Sequence, residues 1–475
     1  MKSSFSPLIR RIGVAFAASA TLLLGGCSTL QPLPRLIENP QIPQQWGAHH
    51  SDNVRSIELQ DWWQSQDEPE LAELIEAAQN VSPTVATALA RIEQSRAQQA
   101  QMVSKLLPEL SATASSSKMH APLYSGTYTQ NQTGVQIGWV LDMASLSGVN
   151  TASARAQHES AQAQWHDARI LIAAEVADLY HASHICRQQL ELAQKAAASF
   201  GESERLTRLS LQAGMASNMA LASARTNAAD SRARLQQQHA TCDIQLKGLV
   251  AMTAKSESDL EKLLLPVWAR ESTPTPFAIS AIPAQSLAQR PDLYIAERDV
   301  LQAQAKVVQA ESARLPRLSL EGFVGYGNFV FAGTTTNAST WTFGPLAVNL
   351  PIFDAGKRAA DQLAAEADLR AALVTYQARV RQGVREVEEA LVLLNSIEQR
   401  WLESRIIAEQ ARVALGSSRN LLQQGMINRL EYEDSQRQSW LADSTARTLD
   451  LERHRAWITL YRAVGGGFHP STPSA

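Results

Sequence analysis

Between residues 369 and 401, apolar side chains return every three or four positions: Leu369, Leu373, Tyr376, Val380, Val384, Val387, Leu391, Leu394 and Trp401. That spacing is the seam of a helix packed along its length against another. No proline interrupts Ala144–Gly214 or Gly356–Gly425, so each stretch can stay helical over roughly 100 Å. Return helices are expected over about 217–250 and 428–464. Elsewhere the period falls to two. Val135, Ile137, Trp139 and Leu141 share one strand face, and Leu318, Leu320, Val324 and Tyr326 share another. Trp341 and Phe343 have one parity while Leu346, Val348 and Leu350 have the other, so Gly344-Pro345 marks a bulge between them. Strands are expected at about 109–119, 132–142, 317–328 and 340–351. The Thr, Ser, Gly and Asn around Tyr124–Asn131 and Ala332–Thr340 predict loops between them.

The pattern occurs twice. Placing Pro83–Ser111 over Pro291–Ser319 matches ten of 29 positions, including both prolines and the closing Leu-Pro-x-Leu-Ser. Downstream, Leu141-Asp142 answers Phe353-Asp354, and Ala213-Gly214-Met215 answers Gln424-Gly425-Met426. Pro83 and Pro291 sit where a helix can begin, and Pro108 and Pro316 end those helices. The repeat is therefore a duplicated unit of helix, strand, strand and long helical hairpin. Near the start of the second copy, Asp292 is placed to meet the helix N–H groups.

Composition narrows the function. There are 46 acidic and 43 basic residues, a formal charge of −3, with no charged tail. Such a balance leaves no electrostatic footprint for nucleic acid. After the first thirty residues no apolar run approaches the ~20 residues of a membrane helix. Those first residues read as an address: Lys2, Arg10 and Arg11 precede a short apolar run, Ile12–Leu24. The leader places the chain in an oxidising compartment. Cys186 and Cys242 each lie 28 residues from Gly214, hence at similar height if Gly214 is the hairpin turn. They form either a disulfide or two buried thiols acting as small apolar residues.

Four strands of about ten residues have the length of membrane strands, yet four cannot close a barrel and an isolated chain would expose two edges. Closure by symmetry gives eight, twelve or sixteen strands. Eight leave little more than a filled core, so a water-filled lumen favours three chains or more.

Several motifs now align in order. Leu24-Gly25-Gly26-Cys27 resembles the lipobox of bacterial lipoproteins, which implies lipidation of Cys27; Ser28 after it implies delivery to the outer membrane. Asp61-Trp62-Trp63, Arg290-Pro291-Asp292 followed by Ala296-Glu297, Trp341-Thr342-Phe343-Gly344-Pro345 with Phe353-Asp354-x-Gly356-Lys357-Arg358, and Gly465-Gly466-Gly467-Phe468 resemble the signatures of the outer-membrane efflux proteins, in their TolC/OprM-like, NodT-type lipoprotein class. The first strand exit departs from that pattern, reading Leu141-Asp142-Met143-Ala144-Ser145.

The resemblance implies a mainly α fold with a membrane β-barrel portion. Three copies would form a twelve-stranded barrel in the outer membrane, joined to a twelve-helix periplasmic tunnel. It divides the chain into a lipoprotein leader (1–26), a lipid-anchored segment with an equatorial wrap (27–80), a first repeat (81–281), a second (282–468) and a tail (469–475). It implies a gated exit duct for drugs or other small toxic solutes, working with a periplasmic adaptor and an inner-membrane efflux pump of the RND type. The only cofactor-like group is the covalent lipid at Cys27. In the family the gate acids lie just past the second turn, which places them at Glu431 and Asp434, on one helix face. Threefold symmetry would converge their carboxylates, raising some pKa values and attracting cations. A solvated helix face is the plainer reading of the same pair. The first copy has Met219-Ala220-Leu221-Ala222 there, without an acid.

The turn residues Gly214, Met215, Gly425 and Met426 are either adaptor contacts or C-cap glycines followed by a packing residue. His181-x-x-His184 with Cys186 has helical metal-ligand spacing but lacks a fourth ligand, so no metal is assigned. Hydrolase, zincin, Walker and dinucleotide motifs are absent, and no enzyme is expected. Two rivals share the long hairpins. One is a duct for protein secretion; the other is a coiled-coil adaptor, which would normally carry compact β-rich domains.

Overall fold

The computed structural model describes residues 68–121, 126–146, 148–270, 287, 289–331 and 333–469. Cys27, the leader and Asp61-Trp62-Trp63 lie outside them. The elements run α1 (Pro69–Val81), α2 (Pro83–Ser104), β1 (Glu109–Ala121), β2 (Gly126–Leu141), α3 (Met143–Leu146), α4 (Val149–Gln212), α5 (Asn218–Thr253) and α6 (Glu257–Trp268). The second half continues with α7 (Pro291–Ser312), β3 (Arg317–Phe331), β4 (Thr334–Asn349), α8 (Lys357–Gln423) and α9 (Arg429–Ala463). No helix among the described residues is long and apolar enough to cross a membrane.

Two compact units emerge, each taken by itself. The first draws on Ser95–His158 and Glu297–Thr375 and holds one antiparallel sheet in the order β1-β2-β3-β4. Its strands are 13 to 16 residues long. The loops expected around Tyr124–Asn131 and Ala332–Thr340 are shorter than the sequence suggests, because Gly126–Asn131 belongs to β2 and Thr334–Thr340 to β4. The physical reason is lateral hydrogen bonding between polar side chains, described below. The pairing shifts register between Leu320 and Gly322, opposite Gly344-Pro345, where the phase slip is expected.

One further difference lies at the first strand exit. The proline-free stretch from Ala144 is not a single helix: α3 stops after one turn, and the chain restarts past Gly148, whose φ is +74°. The carbonyl of Gly148 accepts from the Ala152 N–H at 2.9 Å and the Thr151 hydroxyl at 2.8 Å, which begins α4.

The second unit draws on Glu159–Ala296 and Tyr376–Ala475, with Gln41–Gln94. One core gathers Leu71, Leu74, Val176, Tyr180, Leu249 and Leu264. Another gathers Val380, Val387, Leu391 and Leu394 of the α8 seam against Trp457 and Leu460 of α9. The short helix α6 has no counterpart in the sequence reading; Ser256 caps it by accepting from the Asp259 N–H at 3.3 Å.

Candidate functional site

The sheet has two chemically distinct faces. On one, cross-strand rows read Leu110, Ile137, Gly322, Phe343 and then Ala112, Val135, Val324, Trp341. Trp341 and Phe343 are 76% and 80% exposed, so this apolar face has no cover among the described residues. The opposite face carries Ser111, Thr113, Ser115 and Ser117 from β1, Gln130, Gln132 and Gln136 from β2, and Thr336, Thr340 and Thr342 from β4. β3 departs from the pattern by placing Phe323 and Phe329 on this second face; the alternation in the other strands is that of strands with lipid on one side and water on the other. Farther along the apolar face a polar row crosses all four strands: Ser116, Asn131, Asn328, Asn337. The Ser116 hydroxyl donates to Asn131 Oδ1 at 2.6 Å, Asn131 Nδ2 to Asn328 Oδ1 at 3.3 Å, and Asn328 Nδ2 to Asn337 Oδ1 at 2.6 Å. These bonds hold in strand conformation residues whose composition reads as loop. Among the described residues, β1 and β4 pair on one side only.

At the second strand exit Asp354 organises the start of α8. Its carboxylate accepts from the N–H groups of Gly356 and Arg358, both at 3.1 Å, and from Arg358 Nη1 at 2.8 Å. The Arg358 N–H, with that guanidinium, holds the carboxyl below the usual aspartate range.

In the second unit the Arg290-Pro291-Asp292 turn and the C-terminal glycines meet. Arg290 is buried, donates to the Ala463 carbonyl at 2.6 Å and to Glu386 at 2.7 Å, and forks onto both carboxylate oxygens of Asp292 at 3.0 and 2.9 Å. Asp292 thus serves the arginine, where the sequence had suggested the helix N–H groups. Gly465 lies so close that a Cβ there would stand 2.5 Å from the Gln289 carbonyl oxygen. Phe468 is buried against Tyr294 and His166. These motifs therefore form one structural clasp, and no reactive constellation is seen in it.

The two hairpin turns share a backbone. Gly214 and Gly425 have φ of +75° and +72°. In each turn two N–H groups reach back, Met215 to Ser210 (2.8 Å) with Gly214 to Leu211 (3.0 Å), and Met426 to Leu421 (2.9 Å) with Gly425 to Leu422 (3.1 Å). That is the Schellman pattern, in which glycine takes the left-handed position. Met215 and Met426 project into solvent.

Past the turns the copies diverge. Ser217 caps α5 by accepting from the Ala220 N–H at 3.1 Å. Asn428 caps α9 reciprocally: its Oδ1 accepts from the Glu431 N–H at 3.0 Å, and Glu431 Oε2 accepts from the Asn428 N–H at 2.9 Å. Glu431 is thus the far half of a capping box. Asp434, exposed one turn on, pairs with Arg437.

Sequence reasoning passed over Glu433, which is only 2% exposed. It accepts from the Ser199 hydroxyl at 2.6 Å and pairs with Arg429 at 2.7 Å. Arg437 donates to the same Ser199 oxygen at 2.7 Å and to Ser203 at 3.0 Å, and lies over the Phe200 ring. Arginines four residues either side of Glu433 were the available signal. Cys186 and Cys242 form a disulfide, with Cα atoms 5.6 Å apart. His184 Nε2 lies 3.1 Å from the Arg270 carbonyl oxygen. Among the described residues no group of three His, Cys, Asp or Glu side chains could hold a metal ion.

The family model for outer membrane efflux protein matches residues 74–255 and 282–466. The pyoverdine export outer membrane protein OpmQ of Pseudomonas putida is 27% identical over 473 residues, covering 96% of this chain and 97% of its own. Outer membrane protein OprJ of Pseudomonas aeruginosa is 27% identical, covering 96% of each chain. The toluene efflux pump outer membrane protein TtgC of Pseudomonas putida is 26% identical with the same coverage. Among solved structures, the outer-membrane channel OprN superposes with a TM-score of 0.76 at 22% identity, over 90% of this chain and 98% of that one. The CmeC outer membrane channel of Campylobacter jejuni gives 0.75 at 20% identity, over 93% and 95%.

Proposed function

The chain belongs to the outer membrane efflux protein family and is an outer-membrane channel of an efflux system, and we propose that it works as a homotrimer whose three sheets join into one twelve-stranded barrel. The observation that carries this reading is the sheet itself: one apolar face, one mainly polar face, and two edges without partners among the described residues. Joining β4 of one copy to β1 of the next turns the polar face into a lumen and removes every edge. Three copies of α4, α5, α8 and α9 make the matching twelve-helix tunnel.

Cargo enters from an inner-membrane pump of the RND type through a periplasmic adaptor. Relatives named for efflux of toluene and export of pyoverdine support small solutes, drugs among them, as the cargo class. A diacylglycerol-bearing Cys27 anchors each copy. Gly214, Met215, Gly425 and Met426 form the adaptor contacts, supported by the exposed methionines at both turns. Glu431 and Asp434 form the gate, supported by their exposure on one face of α9.

Light scattering corrected for detergent, with planar-bilayer recording of the same lipidated protein, tests the reading. A trimer with small, cation-selective, mostly closed currents is expected, and Glu431→Ala with Asp434→Ala should raise conductance or weaken block by divalent cations. A monomer without conductance would overturn the channel assembly. Unchanged currents and block in the double variant would overturn the gate alone.

A further inference from the structure

The second unit contains a histidine pair that its other contacts do not use. His181 on α4 and His454 on α9 stack ring on ring, centroids 4.0 Å apart and planes within 14°. They are 2% and 5% exposed. The pair lies in the seam between a helix of the first hairpin and a helix of the second. The same seam is tied by Arg455 to Asp178 at 2.6 Å and by Gln189 to the Thr448 hydroxyl at 3.0 Å.

The surroundings decide what a proton would meet there. On α4, Tyr180 packs edge-on against His181 at 5.2 Å, and Asp178 is engaged by Arg455. On α9, Asp450 accepts from Trp401 at 2.6 Å and pairs with Arg447 at 3.5 Å. From α8, Glu398 takes Arg453 at 2.5 Å. Beyond α6, Arg270 pairs with Glu70 of α1 at 2.8 Å, and its charge acts on Glu68. Asp178, Glu398 and Glu70 thus each hold an arginine, and Asp450, engaged by Trp401 and Arg447, also acts on His184. The charges that do act on the pair are cationic or imidazole: Arg453 and His184 on His454, His184 and His454 on His181.

We propose that the His181–His454 stack is a proton-released catch between α4 and α9, in which protonation of either ring parts the two helices. A charged imidazolium in the closed stack would face a second imidazole across 4.0 Å, and among the described residues no carboxylate acts on either ring, Asp450 acting instead on His184. In the parted seam the same ring meets water and protonates freely. The sign follows. Burial holds His181 well below its ordinary 6.5 and His454 at about 3. Closure is thus fully supported above pH 6.5 and is lost as pH falls, by about tenfold per unit for each ring until the closed-state value is reached. At pH 5 the parted state gains about 30-fold from His454 alone, and His181 adds to it in the same direction. Acid in the surrounding compartment would loosen the first hairpin from the second without touching either turn.

Hydrogen exchange of the full-length protein at pH 7.5 and 5.0, corrected for intrinsic rates, tests the catch. Peptides spanning 174–190 and 447–461 should lose protection by about 30-fold or more at pH 5, while α5 beyond residue 218 keeps its own. His181→Phe with His454→Phe retains stacked rings without a titrating nitrogen and should show a flat profile. His181→Asn with His454→Asn, smaller and also non-titrating, should be flat too if the phenylalanines fail to fold. Unchanged protection in the wild type, or an equal acid loss in a folded double variant, would overturn the proposal. Neither result depends on whether the trimer conducts.

Discussion

The two hairpins share a turn but differ in what fastens their helices. Counting 28 residues before and after each turn glycine gives Cys186 and Cys242 in the first hairpin, and Ile397 and Arg453 in the second. The first pair is covalent. In the second, Ile397 is buried, and Arg453 reaches Glu398 at 2.5 Å while lying over the Trp401 ring at 4.4 Å. The charged cluster directly past the turn belongs to the second copy, where Glu431, Glu433, Asp434, Arg429 and Arg437 crowd the start of α9, whereas the first copy's ion pairs, Glu204 with Arg208 and Arg225, lie farther from its turn. One hairpin is thus cross-linked at this height, and the other is held there by packing and an ion pair.

The heaviest blow to this contrast is removal of the cross-link. A disulfide closing a loop of 56 residues constrains the unfolded chain by about 4 kcal/mol. Cys186→Ser with Cys242→Ser should cost the first hairpin roughly that much in guanidinium unfolding, with exchange protection in α8 and α9 unchanged. Equal losses in both hairpins would show that the cross-linked hairpin supports its neighbour too. Arg453→Met comes next. It leaves Glu398 without its strongest partner and should cost about 2 kcal/mol, and 1 M salt should weaken the wild-type second hairpin more than the first. The mildest change copies one apparatus into the other. Ala220→Glu supplies the missing half of a reciprocal box at Ser217 and should stabilise the start of α5 by about 0.5 kcal/mol, read as slower exchange there. No gain would mean that Ser217 alone satisfies that turn.

How far the sequence carried the fold depended on which residues had a single physical use. Prolines 83, 108, 291 and 316 punctuate the chain because proline cannot continue a helix, and α2 and α7 end within a few residues of the expected places. Gly148 gave no comparable warning, since glycine is tolerated inside helices, and the break before α4 went unseen. The distal parts of β2 and β4 looked like loops because Asn and Thr serve in both settings; only the cross-strand partners reveal a row of amides. At the turn, Glu431 and Asp434 could be placed by counting, yet the reciprocal cap on Glu431 and the burial of Glu433 depend on Asn428 and Ser199, the latter over two hundred residues away.

The uncovered face of the sheet also bears on how the protein is made. A newly exported copy carries Trp341, Phe343, Ile352 and Phe353 almost fully in the open, beside strand edges that would accept any passing backbone. Long hairpins rich in local contacts fold quickly, whereas strands that must find partners fold late. The safe order of maturation is therefore helices first and strands last, with the sheet left unzipped until lipid and sister copies are at hand. A cell that makes this channel faster than it can escort it would accumulate clumps of β-structure, and the demand for periplasmic chaperones should rise with the dose of the gene.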